Sequence, residues 1–89
     1  MIRRTVTISN KLGLHARASA KLTKLAGGFQ CEVFMTRNSR RVNAKSIMGV
    51  MMLAAGMGSQ VEVETEGADE QQAMDAIVAM IDDKFGEGQ

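Results

Sequence analysis

Apolar residues in this chain recur at two different periods, in an order that leaves few folds open. Ile2, Val6 and Ile8 alternate with Arg3, Thr5 and Thr7, the period of a strand with one buried face. Asn10 to Gly13 interrupts it. From Ala16 to Ala26 the apolar positions Ala18, Leu22, Leu25 and Ala26 recur at helical spacing, and Gly27-Gly28 supplies a stop. Cys31, Val33 and Met35 alternate with Glu32, Phe34 and Thr36 as a second strand, and Arg37-Asn38-Ser39-Arg40 reads as a turn into a short third strand through Val42. Phe34 falls on the outer face and is unexplained unless something covers it. Ser46 then precedes an apolar run closed by Gly56, the pattern of a short helix with a serine N-cap and a glycine stop. Val61, Val63 and Thr65 alternate with Glu62, Glu64 and Glu66, giving a fourth strand with an acidic outer face. Asp69 opens the last helix with Gln72 three residues on, a capping-box pattern, and Ala73, Ile77, Met80, Ile81 and Lys84 or Phe85 follow before Gly86 ends it. The order is βαββαβα. So few helices cannot hide both faces of four strands, so the expected fold is α+β, a mainly antiparallel sheet with three helices on one face.

At 89 residues and 45% hydrophobic content, the expectation is one domain spanning residues 1–89 with one core. The longest apolar stretch, Val50 to Ala55, is far short of the roughly 18 residues of a membrane span, and the N-terminus lacks the pattern of a cleavable signal. Cys31 is the single cysteine, so no internal disulfide and no cluster with metal-ligand spacing is expected, and a reducing, cytoplasmic setting fits best. The net charge of +1 conceals a segregation: residues 1 to 45 hold ten basic residues against Glu32, and residues 46 to 89 hold nine acids against Lys84. A coherent basic face would steer acidic protein surfaces or phosphates toward it. Nucleic acid is the rival partner, but with no Trp, no Tyr and three Phe the chain lacks stacking platforms, so no nucleic acid is expected.

Chemistry concentrates at Gly13-Leu14-His15-Ala16-Arg17, where the only histidine stands as loop becomes helix. The first turn of a helix has backbone N–H groups without partners and partial positive charge, which together make an anion site. That same positive end favours a neutral, nucleophilic imidazole. A phosphoryl group on His15 would meet the amides of Ala16, Arg17 and Ala18, and the Arg17 guanidinium could add paired hydrogen bonds. No Asp or Glu neighbours His15 in sequence, and no Gly-Lys-Ser/Thr phosphate loop is present. Such a site can receive and donate a phosphoryl group, with nothing obvious to bind a nucleotide or activate water. A lone histidine at a helix start can equally be a plain cap or surface residue.

The pattern around it decides between these. Gly13-Leu14-His15-Ala16-Arg17, with Lys45-Ser46-Ile47-Met48-Gly49-Val50-Met51 some thirty residues on, resembles the HPr family, the histidine-containing phosphocarriers of the sugar phosphotransferase system. The resemblance covers essentially the whole chain. It implies that enzyme I, charged from phosphoenolpyruvate, phosphorylates His15 on a ring nitrogen, that the group passes to a IIA component, and that Arg17 assists. It implies no cofactor, and it favours a monomer. One departure is plain: the family usually continues with proline where this chain has Ala18, which restores a backbone donor close to His15.

Ser46 carries two readings, a helix N-cap worth roughly 1 kcal/mol and, by resemblance, a regulatory site for HPr kinase/phosphorylase. The helix after it has Ile47, Met48 and Met51 on one side and Val50, Leu53 and Ala54 on the other, and both sides cannot pack on one sheet. Either a loop buries the first side, or Ile47, Met48 and Met51 form an exposed partner surface beside His15, in which methionines adapt to several partners. Lys21, Lys24 and Lys45 would give that surface a basic rim, unless they are ordinary solvated charges, and Ala20 is counted with it. Cys31 reads as core. The alternatives to a carrier are a regulatory module acting on a transcriptional regulator or on the nitrogen branch of the phosphotransferase system, and a basic nucleic-acid module.

Overall fold

The computed structural model describes all 89 residues, Met1 to Gln89. Its elements follow the expected order: β1 (Ile2–Thr7), α1 (Ala16–Gly27), β2 (Glu32–Arg37), β3 (Arg40–Asn43), α2 (Ile47–Met51), β4 (Gln60–Glu66) and α3 (Glu70–Asp82), with a short 3-10 turn at Lys84–Gly86. The strands make one sheet in the order β1-β4-β2-β3, every pairing antiparallel. Register puts Val6 opposite Val61, Arg4 opposite Val63, and Val63 opposite Met35. Val6, Val33, Met35, Val61 and Val63 thus share the inner face with Thr65, and α1 and α3 lie over it. Helix α1 contributes Ala18, Leu22 and Ala26 to the core, and α3 contributes Ala73, Met74, Ile77, Val78 and Ile81. Each fully buried aliphatic side chain here stabilises the fold by roughly 1.5–3 kcal/mol relative to exposure. No helix is long and apolar enough to cross a membrane.

The open face of the sheet answers the question posed by Phe34. Arg41, two residues from Asn43, which pairs with Phe34, lays its guanidinium 3.7 Å from the ring centroid, so a cation covers the outward-facing aromatic and leaves it half-buried. Glu64, which faces both Arg3 and Phe34, is buried between Arg3 at 3.7 Å and Arg41 at 3.4 Å. Because β4 inserts between β1 and β2, the acidic strand lies beside the arginines of β1 and within reach of Arg41 on β3. The charge segregation along the chain is partly cancelled in space, and the expected acidic face is partly neutralised at its centre.

Three local readings are corrected. Helix α2 ends at Met51, well before Ala55: its last carbonyls are taken by tight i+3 bonds, Leu53 N donating to Val50 O and Ala54 N to Met51 O, both at 3.1 Å, and just beyond the helix Arg40 Nη1 donates to Met52 O at 3.3 Å and Arg37 Nη1 to Leu53 O at 3.1 Å. Ala54 then turns left-handed at φ 50° and is exposed, so only Val50 and Leu53 pack inward. Asp69 forms no capping box. Its carboxylate accepts instead from Gln30 N and Cys31 N, both at 2.9 Å, tying the approach to β2 onto the start of α3. Those amides, Gln30 first, hold Asp69 below the usual carboxylate range. Finally, α3 does not run on to Phe85. It stops at Asp82, and the chain turns back through Lys84 and Phe85, both at φ 55°.

Candidate functional site

Loop geometry before α1 places His15. Gly13 has φ +66°, and a Cβ there would stand 2.4 Å from Ala55 O, so glycine is needed both for its backbone and for its small size. Leu14 N donates to Ala55 O at 2.9 Å, fixing the loop against the segment that follows α2. His15 is extended (φ −74°, ψ 179°) at the N-cap, its carbonyl accepts from Ser19 N at 2.8 Å, and its side chain caps nothing. The amides of Ala16, Arg17 and Ala18 have no acceptor in the protein. They form the open end of a twelve-residue helix, as expected from sequence.

The ring is partly exposed, with 28% of its side-chain surface open to solvent. It faces an open cleft of about 840 Å³ lined by Lys11, Leu12, Ala16, Arg17, Lys21 and the C-terminal residues Gly86, Glu87 and Gln89. Arg17 makes no ion pair within the chain, so its guanidinium is free for a ligand. Lys21 is less free, since Nζ donates to Phe85 O at 2.8 Å.

Sequence reasoning missed Glu87. Its Oε2 lies 2.5 Å from His15 Nε2, and its Oε1 accepts from Asn10 Nδ2 at 3.0 Å. The Asn10 amide, then His15, holds the Glu87 carboxyl below its ordinary range. An acid does therefore meet the histidine, from 72 residues away. The only sequence signal was the Phe85-Gly86-Glu87-Gly88 turn pattern after α3, which predicts a reversal but not its target.

The remaining predicted residues lie apart from the cleft. Ala18 is fully buried, so it presents only its amide, whereas Ala20 and Lys24 are exposed on α1. Ser46 caps α2, accepting from Gly49 N at 3.2 Å. Ile47, Met48 and Met51 are exposed, Met48 by 70%, while Val50 is buried. Helix α2 packs against α1. Lys45 donates through Nζ to Phe29 O at 2.8 Å. Thus the apolar residues of α2 and the His15 cleft are both neighbours of α1, and none of Ile47, Met48 and Met51 lines the cleft.

A helix start with vacant amides, a solvent-reached imidazole and an unpaired guanidinium, mounted on a βαββαβα antiparallel sheet, belongs to the histidine phosphocarriers. The chain is a member of the HPr family: residues 2–83 match the family described as PTS HPr component phosphorylation site. It is similar to the phosphocarrier protein HPr of Cupriavidus necator, with 67% identity over 89 residues that cover all of both chains. Among solved structures it is similar to HPr-C-His from Thermoanaerobacter tengcongensis, at a TM-score of 0.95 and 42% identity over 98% of each chain. The Bacillus subtilis protein Crh, described as a swapped dimer, is also similar, with a TM-score of 0.76 and 37% identity over 94% of this chain and 97% of that one.

Proposed function

We infer that His15 accepts a phosphoryl group from enzyme I and passes it to a IIA component, so that the chain carries the group without turning over a substrate of its own. The observation that carries this reading is the open amide set at Ala16, Arg17 and Ala18 beneath a ring that solvent reaches. A carboxylate can only accept, so Glu87 against Nε2 favours hydrogen there and places the lone pair of a neutral ring on Nδ1. Nδ1 attacks phosphorus, the bond to the donor breaks with its electron pair, and the amides and Arg17 receive the phosphoryl oxygens.

Ile47, Met48 and Met51, with Ala20, Lys21, Lys24 and Lys45, form the surface on which enzyme I and IIA dock. Its exposed apolar residues and free Lys24 support this. Ser46, exposed at the edge of that surface, is a regulatory phosphorylation site for HPr kinase/phosphorylase. Phosphate there adds negative charge where partners bring acids of their own. The carrier acts in the cytoplasm as a monomer, and contacts with a transcriptional regulator would use the same surface. Incubation with phosphoenolpyruvate and enzyme I tests the reading. An acid-labile mass increase, absent in His15→Ala, is the expected result, and no increase in the wild-type chain would refute it.

A further inference from the structure

The backbone that brings Glu87 to His15 is locally disfavoured. Lys84 and Phe85 both have φ 55°, and Gly86 follows at 75°, so two consecutive side-chain-bearing residues occupy the left-handed region. Other contacts hold the turn in place: Phe85 is buried in the core, Lys21 Nζ grips its carbonyl, and Lys11 N donates to Gln89 O at 2.9 Å. Asn10, wholly buried, joins the two halves of the site. Its Nδ2 donates to Gly13 O at 2.8 Å on the loop that carries His15, and to Glu87 Oε1 at 3.0 Å. Among the residues lining the cleft, Lys11, Arg17 and Lys21 are cationic and Glu87 is the only acid.

That acid has a use beyond orienting the ring. When Nδ1 forms its bond to phosphorus while Nε2 keeps its hydrogen, no proton moves and the ring gains one positive charge. On onward transfer the N–P bond breaks, its electron pair returns to Nδ1, and the ring is neutral again. A carboxylate on Nε2 is the counter-charge to the ring in its loaded state. Resting on the assignment of His15 as acceptor, we propose that Asn10 and Glu87 are a pair of positioning residues. Asn10 fixes the carboxylate, and Glu87 both keeps hydrogen on Nε2 and balances the charge of the phosphorylated ring.

The test uses Glu87→Ala, Glu87→Gln and Asn10→Ala, each checked for folding by its backbone amide NMR spectrum. Ring ¹H–¹⁵N correlations of the unphosphorylated chain at about pH 9, above the ordinary histidine range, should show hydrogen on Nε2 in the wild type and a mixture of tautomers in Glu87→Ala. Glutamine has one acceptor oxygen where the carboxylate uses two, and its NH2 can only donate, so Glu87→Gln cannot serve both Asn10 and Nε2 and should also shift the ring toward a mixture of tautomers. Uptake of phosphoryl from phosphorylated enzyme I should fall on the order of tenfold in both Glu87 variants and about threefold in Asn10→Ala. A wild-type tautomer in Glu87→Ala overturns the positioning role, and wild-type uptake in Glu87→Gln overturns the counter-charge. If Asn10→Ala does not fold, the two Glu87 variants still decide, since that side chain lies at the cleft and not in the core. Absence of uptake in the wild type would defeat the proposed function while leaving the tautomer comparison intact.

Discussion

His15 and Ser46 occupy equivalent places, each the last extended residue before a helix, yet the two helix starts are built in opposite ways. Ser46 turns its Oγ inward to accept from Gly49 N, so the short α2 closes its own end. His15 caps nothing and turns its ring to Glu87, so the twelve-residue α1 keeps its first amides vacant. One start is closed by its own side chain, and the other is left open. Polar side chains at an N-cap ordinarily satisfy an amide for about 1 kcal/mol. The His15 site forgoes that gain and holds the ring with a distant carboxylate instead.

The contrast can be broken by exchanging losses. His15→Ala should abolish phosphoryl uptake while changing the unfolding free energy by about 1 kcal/mol or less, because only one partly exposed hydrogen bond is lost. Ser46→Ala should retain uptake and lose about 1 kcal/mol in a urea titration. Arg17→Ala should slow uptake by roughly 10- to 100-fold, the value of a charge-assisted hydrogen bond to the transferring group, with the melting curve unchanged because Arg17 makes no ion pair in the fold. Ser46→Asp should slow transfer from enzyme I about tenfold, and stopped-flow rates that match the wild type would remove Ser46 from regulation.

Acid sharpens the comparison further. Glu87 is lowered first by the Asn10 amide and then by His15, and Asp69 is lowered first by the Gln30 N–H. A lowered carboxylate stabilises the folded chain above its unfolded value, near about 4 for both residue types. That contribution is lost as pH falls through the lower folded value. Stability should therefore drop below about pH 4, and Glu87→Gln should flatten the curve there while leaving the Asp69 part intact. The smallest expected effect is at Ala18. Replacing it with proline removes one of three open amides and should shorten the life of the phosphohistidine about threefold. A longer life in the proline form would show that this amide does not hold the phosphoryl group.

Local periodicity made most of the fold legible, because each strand and helix buries one face on one sheet. Val61, Val63 and Thr65 alternate as they do because α1 and α3 cover only that side. What stayed hidden depends on partners far away in sequence. The carbonyls just after α2 are held by Arg37 and Arg40 from the preceding hairpin, and Asp69 serves amides 38 and 39 residues away instead of its own helix. The candidate site divides in the same way. His15, Arg17 and the vacant amides follow from one pentapeptide, whereas Glu87 joins it, and meets Asn10, only through a left-handed turn that no periodicity announces. Lys21 was read as a rim charge, and its bond to Phe85 O, 64 residues away, is a further contact that no local pattern announces.

The most direct measurement is a ³¹P–¹⁵N correlated NMR spectrum of the ¹⁵N-labelled chain after reaction with enzyme I and phosphoenolpyruvate. A single phosphorus coupled to Nδ1 of His15 is the predicted result. Phosphorus on Nε2, or uptake solely through an oxygen of another residue, would contradict the account.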